Sequence, residues 1–175
     1  GLLSFAESPA RYRPSRRHER LRRMTYDFAG KVAAVTGSSG IGLGAALHLA
    51  RAGARVFLGG IDAALNAKAA ETARDEGLDI SCHQVDVADE GSVRSWAGEI
   101  AAATDVLHAL VNAAGQQTYG TVEDTSPAEW DHCLAVNLRS CYLTAHCLYP
   151  LLKVAGGASV VHVASVQGHN NQNKV

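Results

Sequence analysis

Short apolar runs alternate with amphipathic segments along most of the chain. The first apolar run, Val32-Ala33-Ala34-Val35, precedes a segment in which Leu43, Leu47 and Ala50 recur at the spacing of one helix face. The same alternation predicts strands at 31–36, 55–59, 80–85, 106–111 and 159–164, and helices at 41–52, 63–76, 90–102 and 127–154. Unbroken apolar runs are typical of parallel strands that are covered on both faces. The pattern therefore predicts an α/β protein with a doubly wound parallel sheet.

Residues with well-defined turn and cap preferences mark the ends of these elements. Asp62 precedes the second helix as a predicted N-cap, and Gly77 follows the last residues of that helix. Ser126-Pro127-Ala128-Glu129 is a capping-box pattern with proline at the first helical position, so it opens the longest helix. Gly156-Gly157 ends that helix before the fifth strand.

A glycine-rich turn joins the first strand to the first helix. Its sequence is Thr36-Gly37-Ser38-Ser39-Gly40-Ile41-Gly42. Glycines let the backbone approach a pyrophosphate, and the free N–H groups of a helix N-terminus face its negative charge. A P-loop is the alternative, but it needs a Lys and a Ser or Thr where this chain has Leu43-Gly44. Between a strand and a helix, the turn predicts a dinucleotide-binding site.

Small and polar residues follow the other predicted strands in the same way. They are Gly60 and Asp62, Asp86-Val87, Asn112-Ala113-Ala114-Gly115, and Ser165. The carboxyl ends of parallel strands lie at one edge of the sheet, and ligands of such sheets bind beyond that edge. We therefore expect these residues to belong to one site.

Charge is distributed unevenly along the 175 residues, although the net charge is only -1. Residues 1–23 hold seven Arg and two Glu, and the remainder carries 9 basic and 15 acidic side chains. An acidic body is unlike a nucleic-acid-binding domain, so no nucleic-acid partner is expected. Residues 1–24 are predicted to be a basic N-terminal extension, and 25–175 the dinucleotide-binding domain. A disordered tail or translated upstream sequence is favoured for the extension over a transit peptide or a basic arm.

The four cysteines, Cys82, Cys133, Cys141 and Cys147, form no C-x-x-C pair. No metal site is therefore predicted, and free thiols in a reducing cytoplasm are the favoured interpretation. No apolar run approaches the roughly 20 residues of a membrane span, so no membrane association is expected.

These residues together resemble the classical type of the short-chain dehydrogenase/reductase family, whose domain is a Rossmann fold. The motifs that carry the resemblance lie at strand ends from Phe28 onward, in the order of the family: the turn at 36–42, Asp86-Val87, Asn112-Ala113-Ala114-Gly115, Asn137 and Ser165. The resemblance implies hydride transfer between NAD or NADP and a secondary alcohol or ketone. It also implies a homodimer or homotetramer that pairs through the long helix at 127–154.

The resemblance implies a role for each motif. Gly37, Ser38, Ser39, Gly40, Ile41 and Gly42 would hold the cofactor phosphates. Asp86 would bind the adenine amino group with the Val87 backbone beside it, and the four residues from Asn112 would support the adenosine half and brace the sheet. Asn137 would hold a water of a proton relay in a helix kink, and Ser165 would bind the substrate oxygen. The alternative for Asn137 is a helix Asn bonded to backbone, and the alternative for Ser165 is a strand-end cap.

Cofactor preference is read at the end of the second strand. In the family, an Asp there accepts hydrogen bonds from the ribose hydroxyls and repels a 2′-phosphate. That position falls near Gly60, with Asp62 two residues further along. NADP preference needs a basic residue there or in the glycine turn, where this chain has Ile61 and Ser39. NAD is therefore favoured, and a plain helix cap is the alternative role of Asp62.

Three departures from the family pattern affect these expectations. The turn is one residue shorter than Thr-Gly-x-x-x-Gly-x-Gly, and Ala113 replaces the second Asn of Asn-Asn-Ala-Gly. The ten residues after Ser165 contain no Tyr, so the family's Tyr-x-x-x-Lys is missing. That pair moves the alcohol proton in the family. We therefore expect that the chain is incomplete at its C-terminus and inactive by itself. A truncated, non-catalytic dinucleotide-binding protein is the alternative function.

Overall fold

The computed structural model describes residues 26–166. Its strands are β1 (Val32–Thr36), β2 (Arg55–Gly60), β3 (Ile80–Gln84), β4 (Ala109–Asn112) and β5 (Ser159–His162). All neighbouring strands pair in parallel, in the order β3-β2-β1-β4-β5. The predicted parallel sheet is therefore confirmed. The basic extension predicted at 1–24 lies outside the described residues and stays a prediction.

Helices connect the strands. They are α1 (Gly40–Arg51), α2 (Ala63–Asp75), α3 (Glu90–Ala103), α4 (Pro127–Leu134) and α5 (Ser140–Val154), with a π-helical segment, Ala135–Arg139, between α4 and α5. The helix predicted at 127–154 is thus one continuous rod with a widened turn at its centre.

The fourth strand was predicted too early, at 106–111. Leu107 N donates to Leu151 O in α5 rather than to a strand, and the Thr104 hydroxyl donates to Val106 O. These bonds hold 104–107 in a connecting loop, so β4 begins only at Ala109. The fifth strand likewise ends at His162, before the predicted limit at 164.

Helices cover both faces of the sheet because the central strands are apolar on both sides. Alternate residues of β1 face opposite layers: Ala34 packs into a cluster with Trp96, Ile100 and Leu148 of α3 and α5. Its neighbours Ala33 and Val35 pack with Val56, Leu58, and Ala46 of α1. This two-sided burial is what defines a doubly wound sheet.

Side-chain caps fix where three of the helices start. Asp62 caps α2 and Asp89 caps α3, each through a carboxylate oxygen. Ser126 and Glu129 form the predicted capping box of α4. Hydrogen bonds from the Ser126 backbone N–H and hydroxyl to the carboxylate lower the pKa of Glu129. Across residues 26–166, no helix combines the length and the hydropathy that crossing a membrane requires.

Candidate functional site

The glycine turn after β1 brings two backbone segments into direct contact. Gly37 (φ 96°) and Gly40 (φ 51°) adopt left-handed conformations that favour glycine. A Cβ on Gly42 would overlap the carbonyl oxygen of Gly37 and lie 2.7 Å from that of Thr36. The first turn of α1 therefore packs directly on the end of β1, which a side chain at this position would prevent.

Thr36 ties this turn to the loop that follows β4. Its buried hydroxyl oxygen accepts hydrogen bonds from the backbone N–H groups of Ala113 and Ala114, both at 3.1 Å. A Cβ on Gly37 would lie 3.2 Å from Ala113 O on the same loop. The ends of β1 and β4 are thus held together at the centre of the carboxyl edge.

A cleft of about 340 Å³ opens along this edge. Ten of the residues predicted from sequence line it: Gly37, Ser38, Ser39, Gly60, Asp62, Asp86, Val87, Ala113, Ala114 and Gly115. The structure therefore brings the ends of four strands to one cavity, as the strand order requires.

The other predicted residues lie around the cleft without lining it. Gly40, Ile41 and Gly42 form the first turn of α1, and Asn112 is buried behind the cleft wall. Ser165 follows β5 and is exposed. Asn137 lies in the π-helical segment.

Seven lining residues were not predicted: Gly59, Ile61, Leu65, Val85, Gln116, His132 and Val136. Ile61 and Leu65 could have been found, since both are apolar residues beside the predicted cap Asp62. His132 and Val136 are four residues apart on one helix face, but no motif connects that face with the strand ends.

Within residues 26–166, acidic side chains line the cleft and no Lys or Arg does. Asp62 Oδ1 accepts from the backbone N–H groups of Ala64 and Leu65, at 2.8 and 2.9 Å, so the alternative role of this residue as a helix cap is realised. Asp86 Oδ1 accepts from Ala88 N at 2.9 Å. Each carboxylate is thereby fixed in place by one of its two oxygens.

Asn112 braces the sheet from behind the cleft. Its amide nitrogen lies 3.1 Å from His162 Nδ1 on β5, and its amide oxygen accepts from the Thr144 hydroxyl of α5 at 2.8 Å. Three elements are therefore joined through one buried side chain.

The side chain of Asn137 pairs with the backbone of Gln116. Its Oδ1 accepts from Gln116 N and its Nδ2 donates to Gln116 O, both at 2.8 Å. Cys133 Sγ, one turn earlier, lies 3.3 Å from the same Nδ2. Asn137 lies in the widened turn at 135–139, and such π-bulges are frequent at functional sites. The backbone-bonded alternative for this side chain is also realised.

A parallel sheet with a glycine turn and an acidic cleft at its carboxyl edge is a dinucleotide-binding fold. Residues 31–175 match the family model described as short chain dehydrogenase. The chain is 34% identical over 140 residues to a D-beta-hydroxybutyrate dehydrogenase of Cupriavidus necator, with 79% of this chain and 54% of that protein covered. It is 39% identical over 147 residues to a D-threitol dehydrogenase of Mycolicibacterium smegmatis, covering 80% and 55%.

Solved structures agree with these matches. A metagenomic short-chain oxidoreductase in complex with NADP superposes with a TM-score of 0.78 at 31% identity, covering 83% of this chain and 66% of that one. The chain belongs to the short-chain dehydrogenase family. It spans about half the length of the curated relatives that it matches.

Proposed function

We propose that the whole protein is an oxidoreductase that interconverts a secondary alcohol and a ketone with NAD(H) or NADP(H). The cleft at the carboxyl edge, built around the glycine turn, is the observation that carries this proposal. The fit to a dinucleotide is supported by Gly42, where the backbone contact leaves no room for a Cβ. The free N–H groups of the first turn of α1 suit a pyrophosphate.

Each part of the cleft has a proposed task toward the cofactor, which supplies the hydride acceptor or donor. The turn at 37–42 would hold the phosphates, and Asp86 and Val87 the adenine. Ser165 would donate a hydrogen bond to the substrate oxygen. Asn137, whose side chain is bonded to the backbone of Gln116, would hold a water of a proton relay. The family's proton acceptor, the Tyr of its Tyr-x-x-x-Lys motif, would follow Ser165 in the whole protein.

We propose NAD as the preferred cofactor. Asp62 and Asp86 line the cleft, and no cationic side chain of the described residues lines it to neutralise a 2′-phosphate. The relatives are named for hydroxybutyrate, threitol and cyclopentanol, which have a hydroxyl group in common, so the proposal extends only to a small alcohol or its ketone.

Turnover by the whole protein tests this function. Full-length protein should reduce NAD during oxidation of at least one alcohol in a panel of small secondary alcohols, and Ser165→Ala should lower kcat by about 100-fold or more. NADH binding measured in parallel separates the alternatives. Binding with no turnover on any alcohol would leave only the non-catalytic dinucleotide-binding protein.

We propose a homodimer or homotetramer that pairs through α4 and α5. One face of this rod exposes large apolar side chains, among them Trp130 (60% exposed), Leu138 (66%) and Tyr142 (62%). A contiguous exposed apolar stripe is typical of an interface. Leu138→Glu should yield monomers in light scattering, whereas Val122→Glu, at a loop position that is 98% exposed, should leave the assembly unchanged. A wild-type monomer would contradict the proposal.

A further inference from the structure

A sulfur atom lies between Asn137 and the loop that follows β4. Cys133, in the last turn of α4, precedes Asn137 by four residues, so both lie on one face of the helix. Asn137 Nδ2 donates to Cys133 Sγ at 3.3 Å, and the Thr118 hydroxyl donates to the same sulfur at 3.6 Å. One half-buried thiol therefore joins the widened helical turn to the loop.

The Asn137 side chain is held by two different partners. Its Oδ1 accepts from Gln116 N and its Nδ2 donates to Gln116 O, which sets the orientation of the amide, because a flipped amide would place like groups together. The second Nδ2 proton is taken by Cys133 Sγ. Within residues 26–166, both amide protons are thus used, and one lone pair of Oδ1 remains for a further molecule.

The loop held in this way forms part of the cleft. Gln116 lines the cleft, and Thr118 follows two residues later. Loop and helix approach each other closely, since a Cβ on Gly115 would lie 3.2 Å from Asn137 Oδ1, which is closer than ordinary van der Waals contact. A displacement of the Asn137 amide would therefore also move the wall of the cleft.

We propose that Cys133 is a positioning residue for the proton relay. By accepting the second Nδ2 proton, its sulfur keeps that donor from binding the relay water, which then has to donate to the free lone pair of Oδ1. Without the sulfur, a water can bind at Nδ2 as an acceptor, which turns it away from the direction of the relay. The inference rests on the proposed function, because the relay through Asn137 is part of it.

Turnover of the full-length protein tests this role. Cys133→Ala should lower kcat by about 10-fold, because small displacements of a positioned group slow the chemical step, while KM for the alcohol and Kd for NADH stay within about twofold of wild type. Cys133→Ser retains an acceptor for Nδ2 and should recover most of the loss. Cys147→Ala is the matched control, since it removes a half-buried sulfur that packs against the apolar cluster of α3 and α5, and it should leave kcat unchanged.

A double variant shows whether the sulfur acts through Asn137. Asn137→Ala removes the group that Cys133 is proposed to orient. In that background Cys133→Ala should lower kcat no further, because two substitutions in one hydrogen-bond network are not additive. A further loss of about 10-fold in the double variant would mean that the two side chains act independently, and it would contradict the positioning role.

Exchange of the Gln116 amide proton gives a readout that needs no turnover. This N–H donates to Asn137 Oδ1, so its exchange with solvent deuterium in the full-length protein reports whether the amide stays in place. Cys133→Ala should speed the exchange by about 5-fold, the effect of one hydrogen bond of modest strength. Thr118→Val should change the rate in the same direction, and Cys147→Ala should not change it.

The outcomes separate this inference from the proposed function. A wild-type protein that turns over no alcohol would overturn the proposed function and the relay with it. Turnover in the wild type with an unchanged kcat in Cys133→Ala would overturn the inference alone, as would equal exchange at Gln116 in these two proteins. Equal losses of kcat in Cys133→Ala and Cys147→Ala would also overturn it, since the sulfur would then act through stability.

Discussion

A methyl group on Gly42 tests whether α1 packs directly on the end of β1. The added carbon would overlap Gly37 O and lie 2.7 Å from Thr36 O, where ordinary van der Waals contact begins at 3.4 Å. Both neighbours are backbone atoms and cannot rotate away, so the helix or the strand end must shift. Overpacking costs about 1–3 kcal/mol, and a contact with backbone on two sides belongs at the upper end, about 3 kcal/mol.

Gly44→Ala is the matched control, one residue beyond the first turn of the same helix. A Cβ on Gly44 meets nothing within 4 Å. The alanine should therefore stabilise the chain by about 0.5–1 kcal/mol through helix propensity alone. The two substitutions are chemically identical and differ only in what the new methyl group meets.

Urea unfolding followed by circular dichroism measures both variants. With an m-value of about 2 kcal/mol/M, Gly42→Ala should lower the midpoint by about 1.5 M, and Gly44→Ala should raise it by about 0.4 M. Gly42→Ala should also weaken NADH binding, because the shifted helix moves its N–H groups away from the pyrophosphate. Equal midpoints for the two variants would refute the direct packing of α1 on β1.

Three further substitutions or reactions test the bracing, charge and thiol chemistry of the described residues. Thr144→Val removes the hydroxyl that donates to the buried Asn112 Oδ1, so it should lower the free energy of unfolding in urea by about 1–3 kcal/mol. Thr144→Ser keeps the hydroxyl and should be much closer to wild type. A Val variant as stable as wild type would contradict the bracing role of this hydrogen bond. The hydrogen bond from Arg51 lowers the pKa of Glu76. The ion pair therefore stabilises the fold at pH values above the usual pKa of a Glu, and this stabilisation is lost as the pH falls through the lowered pKa. Glu76→Gln should therefore melt below wild type at pH 7 and together with it in strong acid; a gap that persists in acid would exclude this cause. Burial raises the pKa of the Cys82 thiol, so less of the reactive thiolate is present in the native chain. Iodoacetamide at pH 8 should therefore alkylate Cys82 more slowly in the native chain than in urea, as followed by mass spectrometry. Equal alkylation rates would contradict the protection of the thiol by burial.

The sheet was predictable because its signals are local. Apolar runs marked four of the five strands, β3 being mostly polar, and caps such as Asp62 and the Ser126–Glu129 box marked helix starts that the structure confirms. The error at β4 arose because 106–107 are as apolar as a strand, while their hydrogen bonds go to α5 and to a neighbouring threonine. Tertiary contacts, which a local pattern does not contain, decided that boundary.

The candidate site likewise contains residues that could be predicted from local sequence and residues that could not. Residues directly after β1 to β4 line the cleft, as strand order alone led us to expect, since parallel strands end at one edge, whereas Ser165 after β5 does not line it. His132 and Val136 were not identified, because each reaches the cleft from a helical segment whose rotation depends on packing.

Thr36 shows why the cleft lies where it does. On one side of β1 the chain turns into α1, whose Ala46 packs on one face of the sheet. On the other side β4 leads to α5, whose Leu148 packs on the opposite face. The two connections diverge at this point of the sheet and leave a crevice between them. The Thr36 hydroxyl oxygen, bonded to two N–H groups of the β4 loop, closes the floor of that crevice. A residue without this acceptor would leave both N–H groups unpaired beneath the crevice, so the crevice depends on the strand residue as much as on the glycines that follow it.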